Sequence, residues 1–246
     1  MPTYSPGRLA AVAVTTEVLP ERTIRVLDHG FVRLDEAMAS DLSVANAARV
    51  SFARRKDVMD EADEGLIRFL MRDRHGTPFE HNAFRFHIRA PIFVTREWMR
   101  HRIGSFNEFS MRYAKATDDF YVPDADDVRT QVGKPGAYSF EPMNPELAEE
   151  TREELRALYD AAYATYQRLV DQGVARELAR AVMPVGAYTE FFWTVNARAL
   201  MNFVSLRAAE TAQREIRRYA EACERFLAEK MPVTHAAFVA NGRVAP

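Results

Sequence analysis

Between Ala83 and Ala90 the chain alternates without a break. Phe84, Phe86 and Ile88 fall on one side, and Arg85, His87 and Arg89 on the other. A period of two belongs to an extended strand, whose successive side chains point to opposite faces. One face is therefore buried and the other is wet, and Pro91 closes the strand. A half-buried strand commits the chain to a sheet with a covering layer. Helical patterns elsewhere in the sequence can supply that layer.

Thr23 to Val32 carries β-branched residues broken by Asp28-His29-Gly30, which predicts a short strand or hairpin. Asp41 is placed to cap a helix over 42–50, which Ser51 and Phe52 end. A second helix fits 59–73, with Leu66, Phe69 and Leu70 as its apolar stripe. In His75-Gly76-Thr77-Pro78, proline biases Thr77 toward an extended backbone. Ile92 to Arg102 reads as a helix on which Arg96 and Arg100 share a face. From 117 to 143 there are acidic pairs, Gly133, Pro135 and Gly136 but no clear period, so 123–143 is expected to be a surface excursion.

Asn144-Pro145 opens a helix that runs to about Asp171, with Leu155, Leu158, Tyr159, Ala162, Tyr166 and Leu169 in period. A shorter helix over 174–182 follows Gly173. Tyr188 to Val195 is aromatic and β-branched, hence a strand. Helical spacing returns from Arg198 to about Arg207 and again over 209–230, where Ile216, Tyr219, Ala220, Cys223 and Leu227 form one stripe and Pro232 ends it. Residues 1–22 contain three prolines and little periodicity, and read as a loose N-terminal arm or a first edge strand. No repeat or linker divides the chain, so a single α+β domain over 1–246 is expected.

Composition narrows the classes. Hydrophobic residues make up 48% and charged residues 28%, with a net charge of −2. Diffuse electrostatic binding to nucleic acid is therefore not expected, and any basic site must be local. The one cysteine, Cys223, excludes an internal disulfide framework and a multi-cysteine zinc or iron–sulfur site. The apolar run Leu9 to Val14 is far short of the ~20 residues that span a bilayer and makes a poor leader. No membrane association and a cytoplasmic location follow as expectations.

Polar chemistry is concentrated from Arg100 to Tyr113. Arg100, His101 and Arg102 stand side by side, and Ser105, Asn107, Glu108, Ser110 and Arg112 follow at short intervals among Ile103, Phe106, Phe109 and Met111. Arginine and histidine at a helix C-terminus complement its dipole, which would account for one or two of these residues. The rest suit an anion with a flat apolar body, since arginine forks pair bidentately with phosphates. A nucleotide or cofactor site fits, and so does a non-catalytic nucleotide- or RNA-binding module.

Other polar sets are less distinctive. His75, Thr77, Glu80 and His81 match no metal-ligand spacing, and read as a capped turn, so no metal is expected. Cys223 sits on an apolar helix stripe without an adjacent histidine and reads as a buried structural thiol. Arg198 and Asn202 share a helix face beside the aromatic Phe191-Phe192-Trp193. Arg176 and Arg180 lie one turn apart.

Arg100-His101-Arg102-x-x-Ser105-x-x-x-x-Ser110-x-Arg112 resembles the signature R-H-R-x-x-S-x-x-x-x-S-x-R of flavin-dependent thymidylate synthases, complete at every signature position. Ala47-Ala48-Arg49-Val50-Ser51-Phe52, Thr77-Pro78-Phe79-Glu80-His81, Phe191 to Arg198, and Leu206-Arg207-Ala208 resemble further family blocks in the expected order. The resemblance spans roughly residues 24–235. It implies an α+β fold with an antiparallel sheet and a homotetramer whose active sites are shared between subunits. It implies reductive methylation of dUMP to dTMP. Methylenetetrahydrofolate would supply the carbon and FADH2 the hydride, with NADPH reducing the flavin.

The resemblance also assigns roles. Ser51, His75, Thr77, Arg100, His101, Arg102, Asn107, Glu108, Asn196, Arg198 and Asn202 match flavin contacts. Glu97, Arg100, Glu108, Ser110, Arg112, Arg180 and Arg207 match dUMP contacts. Glu97 stands where relatives commonly have glutamine, and a carboxylate beside a phosphate needs an arginine to screen it. Arg207 matches the arginine that favours ionisation of uracil N3 and so makes C5 more nucleophilic. With Cys223 on a helix stripe, such an enzyme would activate dUMP without a cysteine nucleophile.

Overall fold

The computed structural model describes residues 22–134 and 137–246, so all but the last residue of the arm expected over 1–22 lies outside it. Its strands are β1 (Thr23–Val26), β2 (Gly30–Met38), β3 (Ala83–Pro91), β4 (Ser105–Glu108), β5 (Arg129–Lys134), β6 (Ala137–Pro142) and β7 (Tyr188–Asn196). Five of them form one sheet in the order β1-β2-β3-β7-β4, with every neighbouring pair antiparallel. The remaining two, β5 and β6, pair with each other as an exposed hairpin within 123–143. The hairpin at the N-terminal end is longer than Thr23 to Val32, because β2 continues to Met38 past a register shift between Leu34 and Glu36. Gly30 is required there: a Cβ would lie 2.0 Å from the Tyr219 hydroxyl.

The helices are α1 (Asp41–Arg49), α2 (Glu61–Arg72), α3 (Thr77–Glu80), α4 (Ile92–Trp98), α5 (Pro145–Asp171), α6 (Arg176–Ala179), α7 (Ala197–Arg207), α8 (Arg214–Lys230) and α9 (Pro232–Ala240). The alternation of β3 is realised as read. Phe84, Phe86 and Ile88 are fully buried, and they share the core with Phe191, Trp193 and Val195 of β7 and with Phe203, Tyr219, Phe226 and Leu227 of α7 and α8. On the opposite face Arg33 donates to His87 Nδ1 at 2.6 Å, and the His87 ring stacks on Phe192. That face keeps its charges in mutual contact, as with Arg85 and Asp35 at 2.7 Å.

Several local expectations are corrected by tertiary contacts. Ser40, not Asp41, caps α1, its hydroxyl accepting from Ser43 N–H. The buried Asp41 carboxylate instead accepts from the N–H groups of Val233 and Thr234 and from the Thr234 hydroxyl. It satisfies the orphan donors of α9, a helix that Pro232 opens as well as ending α8. The buried stripe of α2 is Ile67, Leu70 and Met71, and Phe69 turns outward to stack on His75. Thr77 is helical despite Pro78: proline in a first turn gives up only an amide that had no partner, and α3 buries Pro78 and Phe79.

The helix read to Arg102 ends at Trp98. Beyond it the chain turns, with Arg100 N–H on Glu97 O and His101 N–H on Trp98 O, and feeds the edge strand β4. Gly104 lets this turn pass the sheet, since a Cβ there would sit 2.8 Å from Trp193 Nε1. Helix α8 starts at Arg214 rather than at 209.

Candidate active site

A cleft of about 1170 Å³ opens where the turn after α4 faces the start of α7. Arg96, Arg100, His101 and Arg102 come from one wall and Asn196, Arg198, Asn202 and Arg207 from the other. Two further arginine and carboxylate contributions, Arg74 and Glu80, come from the turn around α3, and Glu97 completes the set. Six arginines thus face two carboxylates, so the cleft is strongly cationic. The residue pairs Arg96/Arg100 and Arg198/Asn202 both line it, although Arg100 lies beyond the helix that carries Arg96.

Local structure explains the placement. Asn196 ends β7 and caps α7, its side-chain oxygen accepting from Ala199 N–H at 2.8 Å. Both of its amide N–H groups remain to meet a ligand. Arg198 packs on the α3 turn because Gly76 lacks a Cβ, which would lie 2.4 Å from Arg198 Nε. The guanidinium is held by Glu80 at 2.6 Å and by the Pro246 main-chain oxygen at 2.7 Å.

Arg207 is the most constrained arginine in the cleft. Its Nη1 donates to the Glu97 carboxylate at 3.1 Å, its Nη2 to the Glu97 main-chain oxygen at 3.2 Å, and its Nε to His101 Nε2 at 3.1 Å. Burial raises the Glu97 carboxyl above its usual range, and Arg207 opposes that rise. Burial, with the Arg207 charge adding to it, lowers the His101 imidazole to about 4.

Ser110, Arg112 and Arg180 assemble elsewhere. The Ser110 hydroxyl accepts from Arg112 N–H, Arg112 Nε donates to the Glu177 carboxylate at 3.1 Å, and Arg180 Nε donates to the Glu177 carbonyl. Three residues spread over 70 positions of sequence therefore meet around one turn of α6, but outside the cleft lining. Glu108 lies on β4 opposite Phe191 and accepts from the Thr189 hydroxyl at 2.9 Å. Asn107 pairs with Phe192 on the open face of the sheet. Ser51 is exposed in the turn after α1, and His75 and Thr77 are exposed beside Gly76. None of these five lines the cleft.

Residues 33–233 match a family model described as thymidylate synthase complementing protein. The flavin-dependent thymidylate synthase of Streptomyces coelicolor is 48% identical over 228 residues, 87% of this chain and 93% of that protein. The chain belongs to the flavin-dependent thymidylate synthase family. The Thermosipho africanus flavin-dependent thymidylate synthase is 45% identical over 215 residues, covering 87% of this chain and 93% of its own. A UMP/dUMP methylase, PolB from Streptomyces cacaoi, solved with 5-Br UMP, has a TM-score of 0.83 at 46% identity. That alignment covers 91% of this chain and 99% of that chain. The α+β fold with its antiparallel sheet is shared with that relative.

The cleft lining also includes residues assigned no ligand role from sequence: Arg74, Arg96, Ile103, Leu206 and the segment at 245–246. Arg74 could have been found from its place before the His75-Gly76 turn, next to residues already flagged. The 245–246 segment carries no signal in its composition.

The clamp on Arg207 makes a specific statement about protonation. Arginine only donates, so His101 Nε2 must accept and the ring proton sits on Nδ1. Histidine NMR should show His101 as the neutral Nδ1–H tautomer at pH 7, titrating near 4 rather than 6.5. Because its folded value lies below the unfolded one, the unfolded chain takes up this proton first, and His101 makes stability fall as pH drops from about 6.5 to about 4. A midpoint near that of free histidine would contradict the clamp geometry.

Proposed function

We propose that this protein methylates dUMP reductively to dTMP, with FAD as its flavin. On this reading methylenetetrahydrofolate donates the carbon, NADPH reduces the flavin, and no enzyme cysteine attacks the uracil. The arginine-lined cleft carries the reading. Six guanidinium groups in one cleft suit a ligand with several phosphates, and arginine forks match phosphate oxygens in pairs. The donor set therefore fits FAD: Arg74, Arg100, Arg102 and Arg198 would hold its diphosphate, and the amides of Asn196 and Asn202 the polar edge of its ring. Bound and reduced, the flavin supplies the hydride.

The protein's own groups would do the rest. Ser110, Arg112 and Arg180 would take the nucleotide phosphate. Arg112 is already paired with exposed Glu177, and an exposed pair of this kind contributes little and exchanges readily for a phosphate. Arg207 would place its positive charge where uracil becomes anionic, which stabilises that anion and leaves C5 electron-rich. Cys223 is fully buried in the core cluster and burial pushes its thiol up, which supports activation without a thiolate. Among the described residues no group of three or more His, Cys, Asp or Glu side chains is gathered for a metal ion.

Within one chain the Ser110–Arg112–Arg180 cluster and the cleft are separate. This supports a homotetramer in which a neighbouring subunit brings the nucleotide cluster to the flavin cleft. Among the described residues no helix is long and apolar enough to cross a membrane, and a cytoplasmic enzyme is proposed.

The test is dTMP formation with FAD, NADPH and methylenetetrahydrofolate, each omitted in turn, with UMP run beside dUMP. The purified protein should be yellow, bleach with NADPH and lose product formation when any one component is left out. A colourless protein that gains no flavin from added FAD would sink the reading. Methylation of UMP at a rate comparable to dUMP would widen the substrate class to that named for PolB.

A further inference from the structure

All three nitrogens of the Arg207 guanidinium are engaged by one short stretch of chain, the last turn of α4 and the three residues that leave it. Two of the three acceptors belong to Glu97, one in its side chain and one in its main chain. We infer that Glu97 is a positioning residue: its carboxylate and the His101 ring hold the Arg207 guanidinium in the plane and at the depth from which it meets the nucleotide base. This rests on the proposed function and assigns to Glu97 a task other than direct contact with the nucleotide.

The physical case has two parts. Arg207 joins α7 at its last residue, and its side chain is about four-fifths buried, as its 22% exposure shows. A long side chain at a helix end keeps rotamer freedom unless it is tied, and fixing it in advance of ligand binding removes an entropic cost from that event. The three bonds supply the tie. The main-chain oxygen and His101 alone would fix two nitrogens, and the carboxylate adds the one bond between opposite charges, the strongest of the three. The second part is electrostatic. Glu97 faces a cleft whose other groups are mostly cationic, so an unpaired carboxylate there would repel an anionic nucleotide. Paired with Arg207, its charge is compensated.

The two parts make the sign of a Glu97 substitution depend on Arg207. With Arg207 present, Glu97→Ala frees the guanidinium and weakens dUMP binding. With Arg207 removed, Glu97 is only an uncompensated anion, and deleting it relieves repulsion. The experiment is a double-mutant cycle on the flavin-loaded enzyme, reading dUMP affinity from the flavin absorbance change. Its four proteins are wild type, Glu97→Ala, Arg207→Ala and the double variant. In the wild-type background we expect Glu97→Ala to weaken dUMP by about tenfold and to lower kcat more than it raises KM. In the Arg207→Ala background the same change should leave affinity unaltered or improve it.

Glu97→Gln keeps an acceptor oxygen and should stay within about threefold of wild type, a rescue that loss of bulk packing would not show. Thermal unfolding and flavin content check each protein, and Arg207→Gln, which also removes the charge, replaces Arg207→Ala as the background if the latter fails to fold. Equal weakening by Glu97→Ala in both backgrounds would overturn the inference, because Glu97 would then act on the nucleotide directly. A wild-type enzyme whose flavin spectrum ignores dUMP would instead sink the proposed function itself.

Discussion

Arg207→Ala lowers dUMP turnover by about 10²–10³-fold, the usual consequence of removing one preorganised donor from a developing anion, while FAD stays bound. The separation of the two effects follows from the cleft. On the proposed assignment, flavin phosphates would have Arg74, Arg100, Arg102 and Arg198 to hold them, whereas Arg207 is tied to Glu97 and His101. Its charge would then serve the base rather than the cofactor. The substitution also strips the counter-charge that holds the Glu97 carboxyl down, so that carboxyl moves further above its usual range. Arg207→Lys does not repair the loss, because a single ammonium cannot serve three acceptors arranged around a planar fork. The measurements are dTMP formed per minute and flavin absorbance per protein after desalting. Turnover within a few-fold of wild type would end the activation role, and so would loss of the flavin along with the turnover.

How far the sequence foretold this site depends on the distance over which each signal acts. The β3 alternation survives folding because it states a local fact, the strand's two faces, that the core then uses without change. The face that Arg198 shares with Asn202 was legible for the same reason, because i,i+4 spacing is a short-range pattern, whereas Asn196 was named only through the family resemblance and its capping of α7 was not read. Asp41 was misread because its partners, Val233 and Thr234, lie almost the whole chain away. A residue that can cap either of two helices gives no local sign of which it serves. The end of α4 was likewise invisible. Nothing between Trp98 and Arg102 breaks a helix, and the break is imposed by the pairing of β4 with β7. Ser110 and Arg112 were named through the signature and Arg180 through the wider resemblance, but only the fold shows Glu177 joining them.

Trp98→Ala should cost about 3–5 kcal/mol of folding stability, the range for removing a large aromatic from a filled core. Trp98 is fully buried and touches four aromatic rings: stacked on Phe203 at 4.7 Å and edge-on to Phe191, Trp193 and Tyr219 at 5.3–5.8 Å between centroids. These rings belong to β7, α7 and α8, so the side chain closes the joint between the sheet and its helical cover. It is also the last residue of α4, and its carbonyl accepts from His101 N–H. The cavity left by alanine therefore lies directly beneath the turn that carries Arg100, His101 and Arg102.

Stability and flavin affinity should fall together, read from a urea unfolding midpoint and from flavin fluorescence. Val32→Ala provides the contrast. Val32 is equally buried but sits on β2, away from the cleft lining. It should cost about 2 kcal/mol with flavin affinity unmoved. If Trp98→Ala destabilises the fold and leaves flavin binding untouched, the turn after α4 is held by its own hydrogen bonds and not by the ring below it. If Val32→Ala weakens flavin binding as much, the cleft responds to global stability, and no special link between Trp98 and the signature remains.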